Sequence, residues 1–368
     1  MAYLRNLGSY LPARVVDNAE LASRVGADPS WILHATGIEQ RRFAAPEESV
    51  ATLGIRAAND CLCRAGIRAK DVGLLLVASG SGERRFPGPA TAIGIGLEIP
   101  GTPAIDLPLA SAGSLFGLAL AANLCQRFRN VLVIGTEIMS RVVRLDPSGR
   151  DTAILFGDGA GACLVSAETG FAEITDWLLA SDGEFAEALV LDCGLPLHMD
   201  GRTVILQASR KLPRVIAEIL ERNHCRTDQV GTFLMHQANL NLITRVARAL
   251  SAPEMKFFQN VSRYGNTSSA SLLIAAAEWW RDAGPVLKEP VVFAAFGAGL
   301  NWQKGCAGLR LRGRARSDAC ADVREAPQRI SRHRVRVGRR ARQRRGRVDP
   351  RRGSAGTTKG ISGGARPL

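Results

Sequence analysis

The sequence predicts an α/β fold built from two similar halves, and three observations carry that expectation. Short apolar runs rich in branched residues follow amphipathic stretches: Val72 to Ser79 (V-G-L-L-L-V-A-S) comes after a helical pattern over Val50 to Ala65, and Val230 to His236 (V-G-T-F-L-M-H) after another over Ala208 to Arg222. The residues announcing the two strands are alike, R-A-K-D-V-G in one case and R-T-D-Q-V-G in the other. Each half then offers a second apolar strand about 60 residues later, Val131 to Gly135 and Val291 to Gly297. Strands alternating with helices in a repeated order predict two α/β halves packed together, residues 1–170 and 171–311.

Composition supports this and removes several function classes. A hydrophobic fraction of 46% over 368 residues is ample for buried cores. The formal charge of +14 suggests a nucleic-acid partner until its distribution is read. From Arg312 onward there are 17 Arg and one Lys against three Asp and one Glu, so residues 1–311 are net neutral and the basicity belongs to the tail. That tail, 312–368, lacks aromatics and ends in Gly, Ser and Pro, so disorder is expected. It reads either as an Arg-rich arm that neutralises phosphates or, the reading we favour, as a shifted reading of a GC-rich gene. Nucleic acid is therefore not an expected partner of the body. Eight cysteines show no C-x-x-C spacing, so neither a metal centre nor a disulfide framework is expected. No apolar run of membrane-spanning length and no leader pattern stand out, and a cytoplasmic location is the expectation.

Four segments carry the candidate chemistry. Ala104 to Gly113 (A-I-D-L-P-L-A-S-A-G) reads as a strand entering a small-residue turn that opens a helix at Leu115, and Ser111 sits in that turn. A helix start favours negative charge, which is why nucleophiles are placed there. Asp151 to Val165 joins two apolar runs through G-D-G-A-G, which predicts a tight turn near the centre of the fold; its glycine spacing and missing Lys do not suit a phosphate loop. Met235 to Leu240 (M-H-Q-A-N-L) places His236 directly after a strand, and Tyr264 to Ala270 (Y-G-N-T-S-S-A) places Asn266 in a turn before an apolar helix. An imidazole and a carboxamide on neighbouring turns supply two donors to one oxygen, which is what an enolate or a tetrahedral oxyanion needs.

These segments, together with L-G-S-Y-L-P near the start, W-I-L-H-A-T-G-I-E-Q-R-R at Trp31 to Arg42, L-F-G-D-G-A-G-A and F-G-A-G-L-N-W, stand in the order found in one family. Over residues 1 to about 308 the chain resembles 3-oxoacyl-acyl-carrier-protein synthase III, a condensing enzyme of the thiolase superfamily. The resemblance implies a thiolase-like five-layered αβαβα fold from two pseudo-symmetric halves, usually a homodimer, with no permanently bound cofactor. The expected substrates are acyl-CoA or acyl-carrier-protein thioesters, and the expected partners are acyl carrier protein and acyl-CoA. By resemblance Ser111 occupies the position of the acylated cysteine, and His236 and Asn266 that of the pair that stabilises the enolate. The backbone N–H groups of Ser111 and of the glycine turn at Gly297 and Gly299 would form the oxyanion hole for acyl transfer. Trp31 and Arg150 would bracket the adenine of coenzyme A, Phe86 would lie near the dimer interface and the acyl pocket, and Phe156, Ile205 and Leu206 would face the acyl chain.

Two departures shape the functional expectation. A hydroxyl replaces a thiol of ordinary pKa about 8.5, and it needs a base to react at neutral pH, a task that would fall to His236. Ala35 and Asn241 stand where the family commonly has arginines, which favours a carrier-protein thioester over coenzyme A as donor. The expected function is acyl transfer or condensation with Ser111 as acyl acceptor. The alternatives are decarboxylation of a malonyl thioester without a covalent step, and an inactive subunit paired with an active homologue. The sequence names neither donor, chain length nor acceptor.

Overall fold

The computed structural model describes residues 1–283, 289–298 and 309–313. Ten strands form the main sheet: β1 (Tyr3–Tyr10), β2 (Leu74–Ala78), β3 (Ala104–Leu107), β4 (Asn130–Ile138), β5 (Asp158–Ser166), β6 (Ala172–Ile174), β7 (Thr232–Met235), β8 (Phe257–Phe258), β9 (Val291–Ala294) and β10 (Leu309–Gly313). Their spatial order is β8-β7-β9-β10-β6-β1-β5-β4-β2-β3. Read outward from the β6–β1 junction, each half has the order first, fifth, fourth, second, third. In each, the three outer strands are parallel and the inner pairings antiparallel. The duplication seen in sequence is thus a repeated topology.

The layering follows from strand alternation. In β2, Leu74 and Leu76 face one cluster and Leu75 and Val77 another; in β9, Val291 and Phe293 face the first cluster, whereas Val292 and Ala294 face a third. Both faces are buried, which is why these strands read as continuous apolar runs. The shared central cluster is filled by helices α4 (Gly113–Phe128) and α7 (Ser271–Ala283). Helices α2 (Val50–Ala65) and α3 (Pro89–Gly96) cover the first half, and α5 (Gly201–Arg222) and α6 (Leu240–Ala249) the second. The sequence is helix, sheet, helix, sheet, helix. A short α1 (Pro29–Thr36) lies near α6 at one edge. The helix expected over 208–222 begins earlier, at Gly201, where Asp200 accepts from the Arg202 and Thr203 N–H groups, both at 3.1 Å.

The G-D-G-A-G segment is not a turn. Asp158, Gly159 and Gly161 belong to the fully buried strand β5. The glycines serve close approach instead: a Cβ on Gly161 would meet the Leu273 Cβ at 2.6 Å and the Ile274 nitrogen at 2.8 Å, so α7 lies directly on the strand backbone. Asp158 accepts from the Ala44 N–H at 2.7 Å, the Ser140 N–H at 2.8 Å and the Ser140 hydroxyl at 2.6 Å, while burial raises its pKa. It pins two loops to the strand. Among the described residues no helix is long and apolar enough to cross a membrane, and no cluster of side chains fits a metal ion. The Arg-rich stretch expected from 312 lies outside the described residues beyond Gly313.

Candidate active site

Ser111 is placed by a strand-to-helix turn between β3 and α4. Its φ of 62° lies in the left-handed region, which a non-glycine residue occupies at a cost of roughly 1 kcal/mol or more, and its side chain is buried. Three close contacts hold the turn. The Ser111 N–H donates to Ser268 Oγ at 3.0 Å, the Ser269 hydroxyl donates to the Leu109 carbonyl at 2.7 Å, and the Ala112 N–H donates to the Ala110 carbonyl at 2.7 Å. Gly297 backs it from the end of β9: a Cβ there would lie 2.1 Å from the Ala110 oxygen and 2.7 Å from the Ala112 nitrogen. Gly297 therefore packs directly against the Ser111 turn; Gly299 lies outside the described residues.

His236 follows β7, and its N–H donates to the Ala294 carbonyl at 2.8 Å, extending the parallel pairing with β9 by one residue. The imidazole is buried, and burial alone pushes its pKa down to about 4, so it is neutral at pH 7. Its Nδ1 lies 2.5 Å from Ser271 Oγ, which also accepts the Gln237 N–H at 3.1 Å. Asn266 is fixed by its backbone. Its N–H donates to the Leu155 carbonyl at 2.8 Å, its carbonyl accepts from Gly157 at 3.1 Å, and its Oδ1 accepts from the Ser268 N–H at 2.8 Å.

A single six-residue segment, Asn266 to Ser271, thus supplies Asn266 itself, holds Ser111 through Ser268 and holds His236 through Ser271. Among the described residues, Ser111 Oγ, His236 Nε2 and Asn266 Nδ2 make no hydrogen bond. The residues behind this arrangement escaped sequence reasoning. Buried Glu137 accepts from the Gly80, Ser81 and Ser269 N–H groups at 2.9 to 3.3 Å, tying the 79–81 loop to the 266–271 segment. Fully buried Arg41 donates to Asn18 Oδ1 at 2.7 Å and to the Ile154 carbonyl at 2.8 Å, and its Cβ would touch a Cβ on Gly265 at 3.3 Å. Burial lowers its pKa to about 10, leaving it charged beside Asp17. The one available signal was the density of hydroxyls in N-T-S-S-A-S, four in six residues ahead of an apolar helix.

A cavity of 830 Å³ opens beside the nucleophile turn, lined among others by Ala110, Met139, Arg141, Leu189, Leu197 and Ala298. Three expected acyl-chain residues do not line it. Phe156 is 4% exposed and packs with Ile32, Phe43 and Met139 behind Asn266, because its strand-like backbone pairs with that residue. Ile205 and Leu206 lie on a solvent-facing side of α5, at 36% and 45% exposure. Phe86 is 84% exposed on the loop before α3, beside the cavity-lining Arg84 and Arg85.

At the surface, Trp31 on α1 and Arg150 come together, the guanidinium carbon 5.1 Å from the ring centroid, with Arg150 also paired to Asp151 at 2.9 Å. The pair is in contact, with the cation on the ring face. Asn241 donates to the Ala35 and His34 carbonyls at 2.9 and 3.2 Å, so it closes the end of α1 onto α6 and presents no charge.

Comparison with known proteins places the fold. Residues 105–183 match the model of 3-oxoacyl-[acyl-carrier-protein] synthase III, and residues 220–309 match that of its C-terminal region. The chain is 36% identical over 307 residues to the beta-ketoacyl-[acyl-carrier-protein] synthase III 1 of Vibrio vulnificus, covering 80% of this chain and 95% of the relative. It is 37% identical over 305 residues to the corresponding protein of Salmonella arizonae, with the same coverage. The crystal structure of 3-oxoacyl-[acyl-carrier-protein] synthase III from Aquifex aeolicus superposes with a TM-score of 0.80 at 32% identity, over 85% of this chain and all of that one. The priming β-ketosynthase of the R1128 polyketide pathway superposes with a TM-score of 0.78 at 29% identity, over 85% and 96%. With 36% identity over 95% of a curated relative and a matching fold, the chain belongs to the 3-oxoacyl-[acyl-carrier-protein] synthase III family.

Proposed function

We propose that the chain acts on acyl thioesters as a condensing-type acyltransferase, with Ser111 as acyl acceptor and His236 and Asn266 as donors to the thioester oxygen. The observation that carries this reading is the 266–271 segment, which positions all three groups and leaves their reactive atoms unpaired among the described residues. The Ser111 oxygen attacks the acyl carbonyl, the C–S bond breaks, and the carrier thiol leaves with the hydroxyl proton. A malonyl thioester then loses its carboxylate as carbon dioxide. The electron pair forms an enolate held by His236 Nε2–H and Asn266 Nδ2–H. The enolate carbon attacks the Ser111 ester, releasing the 3-oxoacyl thioester and a serine oxygen that takes up one proton. The donor is carried on acyl carrier protein in this reading, with coenzyme A the weaker candidate because Asn241 and Ala35 offer no cation to its phosphates. We place the active molecule as a cytoplasmic homodimer, with Phe86 on the dimer face.

A second reading, decarboxylation of a malonyl thioester with no covalent step, is favoured by one observation: Ser111 Oγ makes no hydrogen bond to an imidazole. Intact-mass measurement after incubation with acyl-coenzyme A and acyl-carrier thioesters separates the two. Acyl mass on the wild-type chain that disappears in Ser111→Ala supports the covalent reading. Carbon dioxide release from malonyl carrier without acyl mass supports the second. Neither signal from the isolated chain, with turnover only beside an active homologue, would overturn both.

A further inference from the structure

The proton inventory around Ser271 decides which nitrogen of His236 faces the substrate. Ser271 Oγ lies 2.5 Å from His236 Nδ1 and accepts the Gln237 N–H at 3.1 Å. The serine is 2% exposed, and its hydroxyl has no other partner among the described residues. If Nδ1 carried the proton, two N–H groups would point at this oxygen and its own hydrogen would be buried without an acceptor, with the penalty of an unpaired buried donor. If Nδ1 is bare, the Ser271 O–H donates to it, the Gln237 N–H fills a lone pair, and every proton has a place. The imidazole is neutral, so the remaining proton sits on Nε2.

We infer that Ser271 is a positioning residue that holds His236 as an Nε2–H donor, which suits the imidazole to enolate stabilisation and withholds it from Ser111 as a base. This deepens the proposed function and rests on it for the substrate class. Decarboxylation uses the Nε2–H as it stands: the bond to the carboxylate breaks, its electron pair enters the enolate, carbon dioxide leaves, and the enolate oxygen accepts the hydrogen bond. Acylation of Ser111 has no such help, because an Nε2 that already bears hydrogen cannot take the hydroxyl proton. Decarboxylation is then the faster half-reaction.

The test uses the full-length chain and malonyl-carrier and acetyl-carrier thioesters. Nitrogen NMR of histidine-labelled protein, with His236 assigned by the signal lost in His236→Gln, is expected to show a bare Nδ1 and a protonated Nε2. Ser271→Ala is expected to lower carbon dioxide release about tenfold in kcat while the rate of mass gain at Ser111 does not fall, and Ser271→Thr restores the wild-type ratio. A protonated Nδ1 in the wild type overturns the inference. So does an equal fall of both rates in Ser271→Ala, which is the mark of a merely structural serine. Should the wild type turn over no thioester, the proposed function fails, and the NMR result still decides the tautomer.

Discussion

Protonating His236 should destabilise the protein in a predictable window of pH. Burial holds its pKa at about 4 in the folded chain, against an ordinary value of 6.5 once unfolded. The folded state therefore binds fewer protons, and the stabilisation is fully present above pH 6.5 and is lost as pH falls toward 4. At about 1.4 kcal/mol per pH unit, the whole interval is worth roughly 3 kcal/mol, of which about 2 kcal/mol is lost between pH 7 and pH 5. The assay is urea unfolding at those two pH values for wild type and His236→Gln, which keeps a neutral donor and removes the titration. Every other group is common to both proteins, so the difference between their losses isolates His236. The expected result is an extra loss of about 2 kcal/mol in wild type at unchanged denaturant slope. Equal losses would refute the claim that this imidazole is buried and neutral.

Gly297→Ala would force a Cβ to 2.1 Å from the Ala110 oxygen, so the nucleophile turn must move. A displacement of that order costs about 100-fold in turnover, and kcat should fall far more than the unfolding midpoint, read by steady-state kinetics and thermal melts. Arg41→Met removes the donors to Asn18 Oδ1 and the Ile154 carbonyl and leaves both acceptors buried and unpaired. Stability should drop by roughly 3 kcal/mol in chemical denaturation, a value within about 0.5 kcal/mol of wild type refuting the anchoring role. Ser111→Cys restores a thiol of lower pKa at the helix start and should acylate at least tenfold faster at pH 7 in intact-mass time courses, with rates that climb as pH rises.

Much of the site was legible because its chemistry lies in short contiguous strings. Ser111 follows β3, His236 follows β7 and Asn266 stands in the turn before α7, so each candidate lies beside an element that local periodicity makes readable. Their supporting residues were not legible. Ser271 is one serine among several until His236 Nδ1 is seen 2.5 Å away, and the two are 35 residues apart in the chain. Glycines misled for a related reason: Gly159 and Gly161 suggest a turn in sequence, whereas the requirement they meet is steric clearance for α7 across strand β5. Ile205 and Leu206 are apolar and were expected at the acyl chain, but a hydrophobic side chain carries no label for the face it occupies, and α5 turns them outward.

What the sequence by itself determined was the repeated order of strands and helices, the segregation of charge into the tail, and the placing of the candidates Ser111, His236 and Asn266 at turns beside strands and helices. Each depends on residues near one another in the chain, through periodicity, propensity and motif order. What only the tertiary structure decided was how those groups are held: which loop reaches Ser111, which serine lies against His236, which buried cation packs beside Gly265, and where the cavity opens. Those are long-range contacts, set by packing α4 and α7 between the two halves of the ten-stranded sheet, and a hydrogen bond across 157 residues, such as that from the Ser111 N–H to Ser268, has no local trace to be read beforehand.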